Sequence, residues 1–466
     1  WPQRQHRPAA PGRLHYVNSC LWRGIGWQPS AAHLQESCHP DTSVTPLLRT
    51  TWELTDTMSW LSTLTDRPST STNPAPPTEP TTASSPTSPP RSRLSPAGAP
   101  TLLAVTPAGA HCSGTTDSRF QQQFGTAAAG GTGPDIASID LVYLPYFASV
   151  GALEDITDKV NALKYKSGLS RSHMRLATYK GRIYALPFTA EASVLFYNVT
   201  LFRRAGLDPK RPPRTWEDVE DYARKIRALG GDYYGYVFAG ASAGYNAFTF
   251  MPYIWASGGD VLNSKGVPTF DSPVITQALT FYRRMWEADL IPKLAQTDQG
   301  TNSGPAFASG KIGIYPSGAF FIPTLSSAKN FEWDVTPIPG KTGGYASFAG
   351  GDEIAIPKAS KHKAEAWEFI QWATGEEAQT VLARKGIVPI RTDLYKSIYE
   401  PLNPKYKALA QAMLEGRTPY STVYNALFND NNGPWIKMIQ DAVFRGDIQG
   451  AQRAAQQRAM AITAGS

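Results

Sequence analysis

The stretch GRIYALPFTAEASVLFYNVTLFRRAGL (residues 181–207) sets the reading of the chain. GRIYALPF (181–188) and SVLFYN (193–198) are short runs rich in Ile, Tyr, Phe, Val and Leu, and they predict two strands. Downstream, TWEDVEDYARKIRAL (215–229) predicts a helix: Thr215 and Asp218 have capping-box spacing, and Trp216, Val219, Tyr222, Ala223 and Ile226 share one face. A second helix starts at Ser272-Pro273 and carries Leu279, Tyr282 and Trp286. KIGIYP (311–316) and EWDVTPIP (332–339) read as strands, and residues 363–386 as consecutive helices stopped by Gly386. Upstream, residues 120–141 read as a helix, a glycine turn and a strand led by Pro134 and Asp135, followed by a short helix ending at Gly151. Strands alternating with helices predict an α/β chain. No internal repeat is visible.

The first quarter has another texture. Lysine is absent before Lys159, all three cysteines (Cys20, Cys38, Cys112) precede residue 120, and 17 of 38 prolines fall in residues 1–119. Residues 1–64 show no sustained period, and residues 65–100 are rich in Pro, Ser, Thr and Ala, a composition that buries little apolar surface. Residues 1–117 are therefore expected to be a low-complexity segment, disordered or frame-shifted, as out-of-frame reading of a GC-rich gene produces. No signal-peptide n-region, h-region and cleavage site stand in order there.

The whole chain has 466 residues and a formal charge of +7, spread thinly, which does not indicate a nucleic-acid surface. No apolar run reaches the ~18 residues of a membrane span. The cysteines match neither a disulfide framework nor a zinc spacing, so no metal is expected. HExxH, GxSxG, Walker A and CxxC are all missing. GGTGPD lacks dinucleotide-loop order, so no cofactor is expected. Glu191 and Asp352 could in principle cleave a glycoside, but nothing in the sequence sets them about 5–9 Å apart. Asn198-Val-Thr is a formal glycosylation sequon and reads as incidental.

Aromatics cluster beside glycine, serine and acids in GYNAFTFMPYIWASGGD (244–260), YPSGAFF (315–321) and YASFAGGDE (345–353). Rings beside carboxylates and amides suit a carbohydrate, whose C–H faces stack while its hydroxyls need donors and acceptors. Core packing is the competing reading for any single ring.

In these segments residues 120–466 resemble the sugar-binding branch of the extracellular solute-binding proteins of bacterial ABC transporters. The motifs occur in family order: GTGPDIASIDLVYLPYFASVGALEDIT (131–157), then residues 181–207, RTWEDVEDYARKI (214–226), MPYIWASGGDVL (251–262), FASGKIGIYPSGAFF (307–321) and residues 348–379. The resemblance implies a two-lobed periplasmic-binding-protein type II fold, lobes joined by hinge crossings near Pro187–Thr189, Ala349–Ile356 and Lys385–Pro389. Lobe 1 would hold residues 118–187 and 349–385; lobe 2 would hold 188–348 and the C-terminal helices of 386–466. It implies a non-enzymatic, monomeric protein outside the cytoplasmic membrane, in the periplasm or as a surface lipoprotein, delivering a di- or oligosaccharide to a membrane permease. The implied ligand-binding residues are Asp140, Glu191, Asn246, Phe248, Trp255, Phe320, Gly351 and Asp352. Asn246 and Phe248 replace an acid and a stacking tyrosine of relatives, and Phe320 a stacking tryptophan. Trp255 could equally be core, and Asp352 a turn cap. The alternatives are a same-fold receptor for a polyamine or phosphodiester, and a secreted glycoside-active enzyme.

Overall fold

The computed structural model describes residues 124–465 apart from 129 and 132, together with the backbone of two short strands at 15–19 and 111–115. The expectations for the rest of 1–117 lie outside the described residues.

Eight strands run in one continuous order as two sheets that share a strand, β4: β1 (His15–Ser19), β2 (His111–Thr115), β3 (Ile136–Asp140), β4 (Ala185–Asn198), β5 (Tyr234–Tyr236), β6 (Ile312–Gly318), β7 (Trp333–Thr336) and β8 (Ala349–Ala355). Their order is β2-β1-β3-β8-β4-β6-β5, with β7 also on β4. β1 runs parallel to β3, with Tyr16 opposite Ile136, so strand order continues beyond β3 where the sequence shows no strand period.

β4 is where sequence and structure part most clearly. Its 14 residues form one strand, not two. Residues Ala185–Ala192 pair antiparallel with β8, whereas Ser193–Asn198 lie between β6 and β7. The chain thus changes partners between Ala192 and Ser193. The intervening TAEA has weak strand propensity, but it is paired on both sides: Ala190 stands opposite Gly351 and also bridges Val388. Every side chain of β4 except Phe188 and Thr189 is buried, as in a strand covered on both faces.

Buried side chains divide by face. Leu186, Ala190, Ala192, Val194 and Phe196 join one apolar cluster, and Ala185, Leu195 and Tyr197 the other. Each cluster therefore extends along the whole of β4 and under both sheets.

Helices cover the faces. α1 (Arg171–Leu176) lies over β4 and β8. α2 (Trp216–Arg227) begins with the expected box: Thr215 Oγ1 accepts from Asp218 N at 3.0 Å and Asp218 Oδ2 from Thr215 N at 3.1 Å. Its Trp216 stacks on Phe281 of α4 (Pro273–Glu287) at 5.2 Å. Between them α3 (Ala243–Trp255) is capped by Ser242. After β8, α5 (Lys363–Ala373) and α6 (Glu376–Arg384) follow, and α7 (Ile448–Ala464) ends the described chain. The segment after α6 divides: Val388, Ile390, Tyr395 and Leu409 pack with Leu169 and Leu186, while Phe428, Trp435 and Ala455 pack with Phe270 and Tyr282.

β8 carries a bulge, its register against β4 shifting between Asp352 and Glu353. Glu353 pairs with Pro187, which has no N–H to give to the ladder. Just before it, Gly351 has φ +121°, and a Cβ there would lie 2.1 Å from the Thr189 carbonyl oxygen. Only glycine fits. Gly351→Ala should destabilise the protein by about 2 kcal/mol or more, read as a lower urea midpoint; a loss within ~0.5 kcal/mol contradicts this account of the bulge.

Candidate functional site

Glu191 sits on β4 opposite Gly350, two residues before the change of partner. It is 7% exposed, and its Oε2 accepts the backbone N–H of Phe320 at 3.1 Å. A Cβ on Gly350 would come within 3.0 Å of the Phe248 ring and 3.6 Å of Glu191 Cβ, so glycine there lets ring and acid approach. The Phe248 and Phe320 rings are 6.0 Å apart. Tyr245 meets Phe320 edge-on at 6.2 Å, Phe348 lies 5.4 Å from Phe248, and Trp255 lies 5.9 Å beyond Phe348. Tyr245, Phe248 and Phe320 are partly exposed, whereas Phe348 and Trp255 are buried behind them. Burial among these rings, offset only by one N–H, pushes the Glu191 carboxyl up to about 8. Near neutral pH it is mostly a neutral acid, able to donate a hydrogen bond as well as accept one.

A second group lies along the same sheet. Asp352 on β8 is register-paired with Asp140 at the end of β3. Asp352 Oδ2 accepts from Ser138 Oγ at 3.0 Å, and its N–H donates to Thr189 Oγ1 at 3.2 Å. Asp140 Oδ1 accepts from Val142 N at 3.2 Å and so caps the 3-10 turn Leu141–Tyr143. That turn presents Tyr143, whose hydroxyl accepts from Asn429 Nδ2 at 3.1 Å and lies 3.4 Å from Asn425 Oδ1. Beside it is a cavity of about 150 Å³ lined by Val142, Tyr143, Tyr146 and residues 422–426. Tyr424 there has its phenol pushed well up by burial, with Asp140 adding to the effect.

Of the expected site residues, Glu191, Phe248 and Phe320 come together, with Gly351 one residue along from Gly350. Asp140 and Asp352 form the neighbouring pair. Glu191 and Asp352 are thus diagonal neighbours on one face of paired strands. Trp255 stands in the second layer: its indole N–H donates to Asp260 Oδ1 at 2.9 Å, and the Arg417 guanidinium lies 5.6 Å from its ring. Asn246 is almost wholly buried and gives its amide N–H groups to the Ala239 and Ser242 carbonyls, tying α3 to the preceding loop. Sequence reasoning did not single out Tyr143, Tyr245 or Phe348, although all three lie inside quoted motifs. Asn425 and Asn429 carried no signal, because only the return of the distant C-terminal segment brings them to Tyr143.

His173 is fully buried on α1, with Nδ1 2.9 Å from Ser170 Oγ and Nε2 3.2 Å from the Thr189 carbonyl; burial pushes its pKa down to about 4. Among the described residues no group of His, Cys, Asp and Glu could hold a metal. Asn198 of the sequon is buried, its amide N–H donating to Gly310 O and its Oδ1 accepting from Leu201 N, so it offers no acceptor for a glycan.

A two-sheet molecule threaded by one shared strand, with rings and carboxyls gathered beside it, is matched by known proteins. The model of the family described as bacterial extracellular solute-binding protein matches residues 113–380. The chain belongs to this family. Diacetylchitobiose binding protein DasA of Streptomyces coelicolor is 28% identical over 343 residues, covering 70% of this chain and 76% of that protein. A putative binding protein of Brucella abortus is 25% identical over 299 residues, covering 64% and 72% respectively. The GacH receptor of Streptomyces glaucescens, solved unliganded and with acarbose, superposes with a TM-score of 0.67 at 23% identity, covering 76% of this chain and 90% of that one. At that identity the likeness speaks for the fold. This solute-binding protein is accordingly a two-lobed α/β binding protein and not an enzyme, and its family places it outside the cytoplasm. Among its described residues no helix is long and apolar enough to cross a membrane.

The raised acid has a signed consequence. Unfolded, Glu191 loses its proton near the ordinary carboxyl value of 4.5; folded, at about 8. Between those values the folded state holds the extra proton, so Glu191's contribution is full below about pH 4.5 and is lost as pH rises through about 8. Glu191→Gln should lessen the fall in stability across that window, by up to ~1.4 kcal/mol per pH unit, in urea melts of the ligand-free protein. An unchanged slope would show that Glu191 ionises normally.

Proposed function

We propose that this solute-binding protein captures a di- or oligosaccharide between its lobes and delivers it to the permease of an ABC importer. The observation that carries the reading is Glu191: a neutral hydrogen-bonding acid set among Phe248, Phe320 and Tyr245, on the strand that both sheets share. Rings offer a face for sugar C–H groups, and the acid meets a hydroxyl without demanding a cation. The neighbouring cavity, by the turn that Asp140 caps, adds tyrosines and an asparagine and, among the described residues, no Lys or Arg, which suits a neutral polyol better than a phosphodiester. DasA is named for diacetylchitobiose, and GacH was solved with acarbose, both saccharide-like ligands.

In this reading the lobes divide within β4. The described residues of 118–187 together with 349–385 belong to the first lobe and 188–348 to the second, while the chain after 386 contributes to both. A ligand touching both lobes binds the closed form more tightly and so shifts the population toward it. The permease then meets the closed form. The protein acts as a monomer, in the periplasm or held at the cell surface by a lipid anchor.

The test is a thermal-shift panel of di- and oligosaccharides, a polyamine and a glycerophosphodiester, followed by calorimetry on the best ligand. A saturable rise with a saccharide is expected, and Phe248→Ala and Phe320→Ala should each weaken it about tenfold, ~1.4 kcal/mol, while leaving the melting temperature of the free protein nearly unchanged. A rise with the polyamine or the phosphodiester but with no saccharide would sink the proposal.

A further inference from the structure

The most unusual side chain in this protein lies outside the ligand-binding group. Glu353 follows the β8 bulge and is fully buried, and neither carboxyl oxygen has a hydrogen-bond partner. It stands opposite Ile139 on β3 and Pro187 on β4, and on its own strand Ala355, two residues along on the same face, packs with Ala137 and Ile139. A bare carboxylate in such surroundings costs several kcal/mol. An ionised acid would therefore need a cation, and among the described residues none of the elements packed against β8 supplies one. On β3 the charged group is Asp140, an acid engaged in capping the 3-10 turn. On β4 it is Glu191, itself bound to Phe320 N–H. The 3-10 turn offers Tyr143, committed to Asn425 and Asn429. α1 brings Arg171 and Arg175, both exposed, the latter donating to the Thr418 carbonyl. His173, also on α1, is buried between Ser170 and Thr189. On β8 itself the adjacent Asp352 adds like charge.

We infer that Glu353 is built into the fold as a neutral carboxylic acid, so that the sheet at the lobe crossing is proton-sensitive and loosens as its surroundings turn alkaline. With a carboxyl next to it on the same strand and no hydrogen-bond donor of its own, Glu353 is held in its neutral form. Burial and Asp352 act together to push the Glu353 carboxyl well above the ordinary range. The sign follows: its contribution to stability is full below the unfolded value of 4.5 and is lost as pH rises through the folded value. This inference goes beyond the saccharide reading and does not depend on what the cleft binds.

The test uses the full chain as Glu191→Gln and as Glu191→Gln/Glu353→Gln, which removes the other raised acid from both. Thermal midpoints are followed from about pH 7.5 to about 9, above both the unfolded value of 6.5 and the depressed folded value of His173, so that its imidazole is almost wholly neutral in both states. The midpoint of the single variant should fall by several degrees, and that of the double variant should stay level and finish higher at the alkaline end. Equal slopes would overturn the inference. If the double variant does not fold, infrared spectra of the single variant decide: a protonated-carboxyl stretch at neutral pH that moves on carbon-13 glutamate labelling supports it, and a spectrum without that band refutes it.

Discussion

The pairing of β4 is the constraint on which the rest of the structure depends. One strand of 14 residues gives its first half to β8 and its second half to β6 and β7. A one-residue slip of β4 would send the side chains of each apolar cluster into the other, so the shared strand fixes both sheets to a common frame. Rotation between them is then confined to the few residues where partners change. Glu191 lies two residues before that point, and Phe320, whose N–H it accepts, lies two residues after β6 ends. This hydrogen bond ties the strand shared by both sheets to the turn that follows β6.

The same frame explains why ionisable groups are buried here. Glu191, Asp352, Glu353 and His173 all belong to β4, β8 or the helix that covers them, and all are less than a tenth exposed. Asp352 and His173 are satisfied by neighbours on the sheet. Glu191 is half satisfied and faces the rings; Glu353 is not satisfied at all. A fold selected for stability alone would place apolar side chains at such positions. Acids kept on these strands make the stability of the sheet depend on hydrogen-bond partners and protonation, as apolar side chains there would not.

The ring series from Trp255 through Phe348, Phe248 and Phe320 to Tyr245 is continuous, but its members differ in role. The pair at one end is buried core, and the trio at the other is partly exposed. Gly318 and Gly350 make that arrangement possible, since a side chain on either would strike Phe248 or Phe320. Small residues on the strands are therefore as much a part of the site as the rings.

The sequence by itself determined the α/β alternation, the helix that Thr215 and Asp218 cap, and the motif order that marks the family, because these rest on local periodicity and short-range hydrogen bonds. Through the resemblance that those motifs carry, it also pointed to Glu191, Phe248 and Phe320. Only the tertiary structure decided that GRIYALPF and SVLFYN belong to one strand through TAEA, because that strand exists by virtue of partners at 349–355 and 388. Only it turned Asn246 toward the 239–242 loop and set Trp255 behind Phe348. The unsatisfied burial of Glu353 is of the same kind: an acid one residue after Asp352 reads as surface until both flanking strands and a covering helix close over it, and desolvation is a property of that enclosure, not of the residue.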